Sequence, residues 1–338
     1  MIEQLDCTIR DGGYINNWRF NNEFIDAYTK VIENDCSYVE IGFVNKTNKY
    51  KNKLVGNSRV LNEVTLQKYK NYKFKKVVMA DYKDINIEIL NSDNKKYIDL
   101  VRIAFHKNDM LDALAVCSNI KNIGYKVSVN AMAITNYNES ELQYLLDYVN
   151  NKQLDALYIA DSYGSLKQTE TMELYKLFNN KLNKNVKIGF HLHNNMNNAY
   201  GNYEYLKNLT RFDDRKIIFD TTMFGMGRGA GNLQTELVIL DRNPDITINN
   251  LIKYTTFIER FIRPFYKNQN EWGYDLDYLI SGHLKMHPNY IVKMRDLKIS
   301  MLKRFLFIEK IIDHKINYKY FDIENINTII ETYKEELL

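Results

Sequence analysis

The sequence predicts an α/β fold in which eight parallel strands, alternating with helices, close into a (β/α)8 barrel that is followed by a helical C-terminal extension. Short apolar runs alternate with longer segments of helical spacing, eight such runs occur, and nearly every run ends in a polar residue. This alternation implies right-handed crossovers between parallel strands. An open sheet needs polar residues only beside its switch point, whereas a barrel collects them around its whole mouth.

The predicted strands are runs of six to eight residues that are rich in apolar and β-branched side chains and flanked by polar turns. We expect them at residues 2–9, 37–43, 76–81, 98–105, 126–132, 156–161, 186–193 and 217–223. Helical spacing predicts helices over residues 21–35, 108–124, 138–151 and 167–182. Gly124 is expected to end the second of these helices.

The last part of the chain differs from the repeat. Residues 248–265 and 298–316 have amphipathic helical spacing, and no further strand repeat follows the eighth unit. We therefore assign residues 1–244 to the barrel and residues 245–338 to a helical extension that packs beside the barrel mouth.

Composition limits the function classes. The net charge of +4 comes from 46 basic and 42 acidic residues spread along the chain, which argues against nucleic acid as a partner. The three cysteines form no CxxC pair, so neither a disulfide framework nor a zinc knuckle is indicated. The chain shows no export signal and no apolar run of membrane-spanning length, so we expect a cytoplasmic protein.

Two histidines in the seventh predicted strand suggest a metal site. His191 and His193 are two residues apart in "GFHLHNN", so their side chains point to the same face of the strand. A divalent cation can bind both as neutral ligands, and "DCTIRDGG" after the first strand offers Asp6 or Asp11 as a carboxylate ligand. The alternative is that the two histidines form hydrogen bonds in a polar core.

Four motifs in order carry a family resemblance: "DCTIRDGG" from residue 6, "YIADSYGS" from 158, "HLHNN" from 191 and "GMGRGAGNLQTE" from 225. Together they resemble the metal-dependent aldolase and lyase barrels, a superfamily of TIM barrels with a catalytic domain like that of 3-hydroxy-3-methylglutaryl-CoA lyase. This superfamily also includes 4-hydroxy-2-oxovalerate aldolases and isopropylmalate synthases. The resemblance is closest to the oxovalerate aldolases.

The resemblance implies roles for individual residues. The metal ligands would be Asp11, His191 and His193, with Asn232 as a further ligand or, alternatively, a loop residue or helix cap. The cation would be Mn²⁺ or Mg²⁺, with Zn²⁺ and Co²⁺ as alternatives. Arg10 would steady the enolate oxygen, and Glu40 would hold Arg10. The predicted substrate-binding set is Ser162, Glu40 and Asn130.

The acid/base group departs from the family pattern. The oxovalerate aldolases have a histidine three residues after the metal-binding aspartate, where this chain has Tyr14. Tyr14 and His283 are the predicted catalytic partners of Arg10, and His287 and His106 are alternatives. A tyrosine hydroxyl with an ordinary pKa is a poor base at neutral pH. No cysteine lies in a glycine-rich loop, which argues against the CoA lyase branch.

The glycines at positions 225, 227, 229 and 231 allow two interpretations. They could cradle a phosphate, but no GK[ST] sequence follows them. We interpret them as a tight loop that covers the metal, and a phosphate group on the substrate stays open as an alternative.

The expected function is that of a divalent-metal-dependent aldolase or lyase. It would make or break a carbon–carbon bond next to the carbonyl of a 2-oxo acid, through a pyruvate-type enolate, with an aldehyde as the second reactant. The alternatives are a Claisen-type acyl-CoA condensing enzyme of the isopropylmalate synthase type and a non-catalytic barrel that acts as a binding partner. The resemblance further implies an aldehyde dehydrogenase partner bound through the C-terminal helices, and we also expect a homo-oligomer.

Overall fold

The computed structural model describes residues 2–46, 55–268 and 271–334. Eight parallel strands form a closed barrel in sequence order, with β8 paired to β1, which confirms the predicted fold. The strands are β1 (Ile2–Asp6), β2 (Tyr38–Phe43), β3 (Lys75–Asp81), β4 (Leu100–Phe105), β5 (Val127–Ala131), β6 (Ala156–Asp161), β7 (Lys187–Leu192) and β8 (Ile217–Thr221).

Helices surround the barrel and continue into the C-terminal extension. Two short 3₁₀ turns, Ile87–Ile89 and Asp93–Tyr97, take the place of a longer helix between β3 and β4. The α-helices are α1 (Gly13–Asn16), α2 (Asn22–Ile32), α3 (Glu63–Lys68), α4 (Met110–Ile123), α5 (Glu139–Asn151), α6 (Gln168–Lys181), α7 (Ala199–Leu209), α8 (Thr235–Arg242), α9 (Ile248–Phe257), α10 (Arg263–Asn268), α11 (Leu276–His283), α12 (Asn289–Asp296), α13 (Met301–Asp313) and α14 (Ile323–Thr332).

The helix ends follow from local sequence. Gly124 ends α4 with φ = 98°, a left-handed conformation that glycine adopts without strain, as predicted. At the start of α5, Asn138 accepts the N–H of Glu141 while the Glu141 carboxylate accepts the N–H of Asn138. This reciprocal capping satisfies two backbone donors that the helix leaves unpaired.

The first strand is shorter than predicted. It ends at Asp6 rather than at residue 9, because the Asp6 carboxylate accepts the N–H of Thr8 at 2.8 Å and starts a turn. The N–H of Asp11 then donates to the carbonyl of Cys7 at 2.7 Å. This turn brings Asp11 to the barrel mouth, whereas a continued strand would carry it beyond the mouth.

The barrel encloses one layer of apolar residues and is surrounded by a second. The interior below the mouth is filled by buried residues that include Leu5, Tyr38, Val77, Leu100 and Ile218. The main core lies between the strands and the surrounding helices. The polar residues at the strand ends therefore stand on a packed floor, as in other barrels of this type.

The extension contacts the barrel in two places. α9 and α10, joined by the π-helical segment Ile258–Ile262, pack on α2, where the ring of Phe24 lies 5.3 Å from that of Phe257. α11 to α14 form a small core of their own, which includes Tyr278, Met286 and Phe307. Among the described helices, none combines the length and apolar composition that crossing a membrane requires. The boundary after residue 244 stays a prediction.

Candidate active site

A cavity lies at the carboxyl ends of the strands. Polar side chains from the strand ends form its base, and residues from the extension form part of its cover. Most of the residues predicted from sequence line it, namely Arg10, Asp11, Tyr14, Asn130, Ser162, His191 and His193.

Asp11, His191 and His193 converge in this cavity. The Oδ2 atom of Asp11 lies 3.7 Å from Nε2 of His191 and 3.9 Å from Nε2 of His193. Ligands of a divalent cation lie about 2.0–2.2 Å from it, so neighbouring donor atoms stand roughly 3 Å apart. Small side-chain movements would therefore bring all three donors to one ion.

The hydrogen bond formed by Nδ1 of each histidine ring fixes its tautomer. Nδ1 of His193 lies 2.7 Å from the carbonyl oxygen of Asp161, which can only accept, so Nδ1 carries the proton. Nδ1 of His191 donates to the Asp220 carboxylate at 2.8 Å. Both Nε2 atoms are left with a free lone pair, and a histidine ligand is usually held by such an outer hydrogen bond.

The electrostatics favour a cation over two protons. Burial, together with the neighbouring His191, lowers the pKa of His193 to about 4, so its ring is neutral at pH 7. Burial alone would raise the pKa of Asp11, but Arg10 and the two histidines hold it well below its usual range. The site therefore presents the Asp11 carboxylate and, at His193, a neutral imidazole.

Asn232 supplies a fourth candidate donor. Its Nδ2 donates to Asp11 Oδ2 at 2.7 Å, and its buried Oδ1 has no hydrogen-bond partner among the described residues. A buried amide oxygen without a donor is destabilising. An ion beside Asp11 would satisfy this oxygen, which suits the predicted role as a ligand.

The glycine-rich loop packs directly on this centre. A Cβ atom at Gly227 would lie 2.2 Å from Nδ2 of Asn232 and 3.4 Å from Oδ2 of Asp11. Gly231 has φ = 76°, and a Cβ there would lie 2.3 Å from the carbonyl oxygen of Gly225. The loop therefore needs glycine to approach Asp11 and Asn232, and this favours the tight-loop interpretation over a phosphate cradle.

A second cluster, Cys7, His191 and Asp220, also places three donor atoms together. Burial raises the pKa of the Cys7 thiol well above its usual range, and Sγ donates to the carbonyl of Thr221. The Nδ1 proton of His191 already occupies Asp220. This cluster lacks a thiolate and an open position, so it supports the orientation of His191 rather than a metal.

Asp6, the other carboxylate that sequence offered, is not part of the centre. It is fully buried and binds the hydroxyls of Tyr28 and Thr235 together with the N–H of Thr8. Burial raises its pKa. Asp6 joins β1 to α2 and α8, whereas Asp11 faces the cavity.

Arg10 is held by a buried network of charges. Its Nε donates to Glu40 Oε2 at 2.6 Å, and its Nη1 donates to Asp11 Oδ1 at 2.9 Å. The indole N–H of Trp18 donates to the Arg10 carbonyl at 2.7 Å. Nη2 of Arg10 is buried without a partner in the described part of the chain. This free N–H donor belongs to a residue that lines the cavity.

Arg102 extends the network across the barrel. It donates to Glu40 at 3.1 Å and to Asp220 at 2.6 Å, and its guanidinium lies 4.1 Å from the ring centre of Tyr158. Asp220 in turn orients His191. The two arginines face the three carboxylates of Asp11, Glu40 and Asp220, so the network carries one negative charge in excess. Such an excess favours binding of a cation.

Glu40 requires a correction. We predicted it among the substrate-binding residues, but it is fully buried and does not line the cavity. Both of its oxygens are taken up by Arg10 and Arg102. It can therefore position Arg10, as the resemblance implied, but it cannot contact a substrate.

Ser162 and Asn130 offer polar atoms to a substrate. Ser162 Oγ accepts the N–H of Ala133 at 2.8 Å, which leaves its own O–H free to donate. Asn130 is buried, and its Oδ1 has no partner within the described residues. Both groups border the cavity and can bind the carboxylate or hydroxyl of a small molecule.

The extension supplies a histidine, but not the predicted one. His283 is exposed in the last turn of α11 and lies outside the cavity, so the prediction that it reaches the site is wrong. His287, four residues later, lines the cavity together with Pro288 and Lys319. Burial, reinforced by Arg228, lowers the pKa of His287 to about 3. His106 also lines the cavity.

Arg228 is a cavity residue that sequence reasoning missed. Its guanidinium carbon lies 3.8 Å from the ring centre of Tyr14, and its Nη1 donates to Asn289 Oδ1 at 2.9 Å. The only sequence signal was an arginine within the run of glycines at 225–231. The stacking shows that Tyr14 and Arg228 form one wall of the cavity.

Glu236 gives the site a pH-dependent support. Its carboxylate accepts the N–H of Phe224, beside the glycine-rich loop, and burial raises its pKa to about 7. The folded state therefore binds this proton more tightly than the unfolded chain does, where a glutamate titrates near about 4.3. The stabilisation that protonated Glu236 contributes is complete below about pH 4.3 and is lost as the pH rises through 7.

We expect Glu236→Gln to stabilise the fold at pH 8 by about 2 kcal/mol relative to its effect at pH 5, because glutamine stays neutral at both values. Urea unfolding at the two pH values measures the difference. Glu204→Gln replaces an exposed glutamate and should have the same small effect at both. Equal effects of Glu236→Gln at pH 5 and pH 8 would contradict the raised pKa.

Comparison with known proteins agrees with the motifs. The HMGL-like family model matches residues 1–243. A 4-hydroxy-2-oxovalerate aldolase from Bacillus thuringiensis is 24% identical over 317 residues, which cover 88% of this chain and 89% of the relative. An enzyme of the same name from Bacillus cereus is 26% identical over 244 residues, covering 70% of this chain and 69% of the relative.

Solved structures show the same fold. The N-terminal domain of a candidate aldolase from Bacteroides vulgatus has a TM-score of 0.75 and 27% identity, over 86% of this chain and 95% of that domain. An HMG-CoA lyase from Bacillus subtilis has a TM-score of 0.60 and 14% identity, over 80% of this chain and 95% of the lyase. These matches confirm the resemblance that four motifs predicted. The chain belongs to the HMGL-like family and is an enzyme of the metal-dependent aldolase and lyase class.

Proposed function

We propose that the protein is an aldolase that joins a pyruvate-type 2-oxo acid to an aldehyde, and cleaves the product in reverse. The observation that carries this proposal is the meeting of Asp11, His191 and His193 beside the unpaired Nη2 of Arg10. Similarity to the oxovalerate aldolases supports the same reaction.

Asp11, His191, His193 and Asn232 are the residues that would hold a divalent metal, with two oxygen and two imidazole donors, and the family resemblance favours Mn²⁺ or Mg²⁺. When bound, such a metal supplies Lewis acidity toward the carbonyl oxygen of a 2-oxo acid. Asp220 keeps His191 in the tautomer that can bind, and the Asp161 carbonyl does the same for His193.

Arg10 stabilises the negative charge that develops on the keto oxygen when the enolate forms. Its unpaired Nη2–H is the available donor, and Glu40 and Asp11 fix the orientation of the guanidinium. Because the donor is already in place, no reorganisation is needed at the moment of reaction. Ser162 and Asn130 bind the carboxylate of the 2-oxo acid through the free groups described above.

Tyr14 and His287 are the proposed donors of the proton that the aldehyde oxygen gains. The N–H of Asn289 donates to Nδ1 of His287 at 3.2 Å, so the proton of the neutral ring is on Nε2. Tyr14 lines the same cavity and its hydroxyl can also donate. The proposed set of catalytic residues is therefore Arg10, Tyr14 and His287.

A test that needs no aldehyde is exchange of the methyl protons of pyruvate in deuterated water. The protein loaded with Mn²⁺ should catalyse this exchange, followed by proton NMR, and lose the activity after chelation. The same preparation should release pyruvate from 4-hydroxy-2-oxo acids. Absence of both activities, or release of free CoA thiol from an acyl-CoA with a 2-oxo acid, would contradict the proposal. The dehydrogenase partner and the homo-oligomer stay predictions.

A further inference from the structure

The cavity has more positive charge on its cover than its own carboxylates can neutralise. Arg228 and Lys319 both line it, and neither forms an ion pair within the described ranges 2–46, 55–268 and 271–334. Arg228 is anchored by an uncharged amide and an aromatic ring. Its charge is therefore fixed in position but not compensated.

The carboxylates of the cavity are already engaged elsewhere. Asp11 accepts from Arg10 and Asn232, and Asp81 accepts from Arg59 at 3.0 Å and from Asn45 at 3.1 Å. No other acidic residue of the described chain lines the cavity. Within the described residues Arg228 forms no ion pair with these carboxylates, nor with Glu271 or Asp275 of the neighbouring cavity, so a bound anion would give it a direct partner.

Neutral donors accompany this charge. His287 and His106 line the cavity near Arg228, whose charge contributes to lowering the pKa of both rings after the larger effect of burial. Nδ1 of His106 is buried with no hydrogen-bond partner in the part of the chain that the structure describes. An arginine, a lysine and two imidazoles are typical partners of a carboxylate or phosphate group.

We propose that the aldehyde that reacts in this cavity carries an anionic group, a carboxylate or a phosphate, which binds Arg228 with help from Lys319 and His106. This proposal rests on the proposed aldolase function and names its second substrate class. In the reaction, the enolate carbon of the 2-oxo acid bonds to the aldehyde carbon, the carbonyl electron pair moves to oxygen, and that oxygen takes one proton. The anionic group stays unchanged and only orients the aldehyde.

Matched aldehydes test the proposal with the Mn²⁺-loaded protein and pyruvate. Succinic semialdehyde is paired with butanal, and glyceraldehyde 3-phosphate with glyceraldehyde. We expect kcat/KM for at least one anionic member to exceed that of its neutral partner by about 10- to 100-fold, as for a hydrogen-bonded charge pair. The pair that shows the preference identifies carboxylate or phosphate. Equal values within both pairs would overturn the proposal.

Variants separate recognition from damage to the site. Arg228→Gln should remove most of the preference through a rise in KM for the anionic aldehyde, and Arg228→Lys should restore part of it. Arg211→Gln replaces an exposed arginine outside the cavity and should keep the parental ratio. A preference that survives Arg228→Gln would contradict the assignment.

A binding measurement keeps the two proposals distinguishable. Calorimetry with glycerol 3-phosphate, butyrate and glycerol needs no turnover, and the parent should bind one of the anions while Arg228→Gln should not. Pyruvate exchange without any aldehyde preference or anion binding would support the aldolase activity and contradict the proposal of an anionic aldehyde. Anion binding without pyruvate exchange would contradict the aldolase, and with it the anionic aldehyde, and would leave only an anion site at Arg228.

Discussion

Replacing Asp11 with asparagine is expected to lower kcat/KM for metal-dependent pyruvate exchange by more than about 1,000-fold, a loss of roughly 4 kcal/mol of transition-state stabilisation. Asp11 lies within reach of both imidazoles, of Asn232 and of Arg10, so it contacts every part of the proposed centre. Asparagine has nearly the same shape but no charge. Metal content after gel filtration and the rate of exchange measure the two effects.

Asp112→Asn is the matched control, because Asp112 is exposed on α4 and far from the cavity lining. It should bind metal and exchange pyruvate protons at the parental rate. Circular dichroism establishes whether each variant is folded. Parental metal content and activity in folded Asp11→Asn would disprove the metal centre and favour a non-catalytic barrel.

Replacing Arg102 with methionine is expected to destabilise the fold by about 3–5 kcal/mol, because Glu40 and Asp220 would each lose a buried partner. Arg102 is fully buried, so water cannot take over the hydrogen bonds. Loss of the Arg102 charge would also raise the pKa of Asp220, which that charge holds down. Urea unfolding of the metal-free protein at pH 7 measures the loss.

The same substitution at the exposed Arg211 should change the free energy of unfolding by less than about 0.5 kcal/mol. In Arg102→Met a single arginine, Arg10, faces the carboxylates of Asp11, Glu40 and Asp220, so adding Glu40→Gln, which removes one of these negative charges, should recover part of the lost stability. A loss below about 1 kcal/mol for Arg102→Met would show that the buried network contributes little to the fold.

Local patterns were sufficient to predict the barrel and the meeting of the two histidines proposed as metal ligands. Strand pairing in sequence order places every carboxyl strand end at one mouth, and the two-residue period of a strand puts His191 and His193 on one face. The prediction for Asp11 depended on the motif, because the turn that returns it to the mouth relies on the hydrogen bond between Asp6 and Thr8.

Contacts between segments that are distant in sequence could not be predicted from local sequence patterns. Arg102 lies in β4 and Asp220 in β8, and their pairing across the barrel follows only from its closure. In the extension, the choice between His283 and His287 depends on how α11 and α12 pack, which helical spacing does not specify. Arg228 faces inward because Tyr14 and Asn289 hold it there.

The active site is built from two parts of the chain that have separate apolar cores, namely the barrel and helices α11 to α14. The barrel alone contributes Asp11, His191 and His193, whereas His287 and Lys319 come from the extension. Exchange of the extension between relatives would keep Arg228 and the three proposed metal ligands but replace His287 and Lys319, so it should change only part of the surface that faces the second substrate. Such enzymes can therefore diversify by changes in the C-terminal extension while the barrel and its proposed metal ligands stay the same.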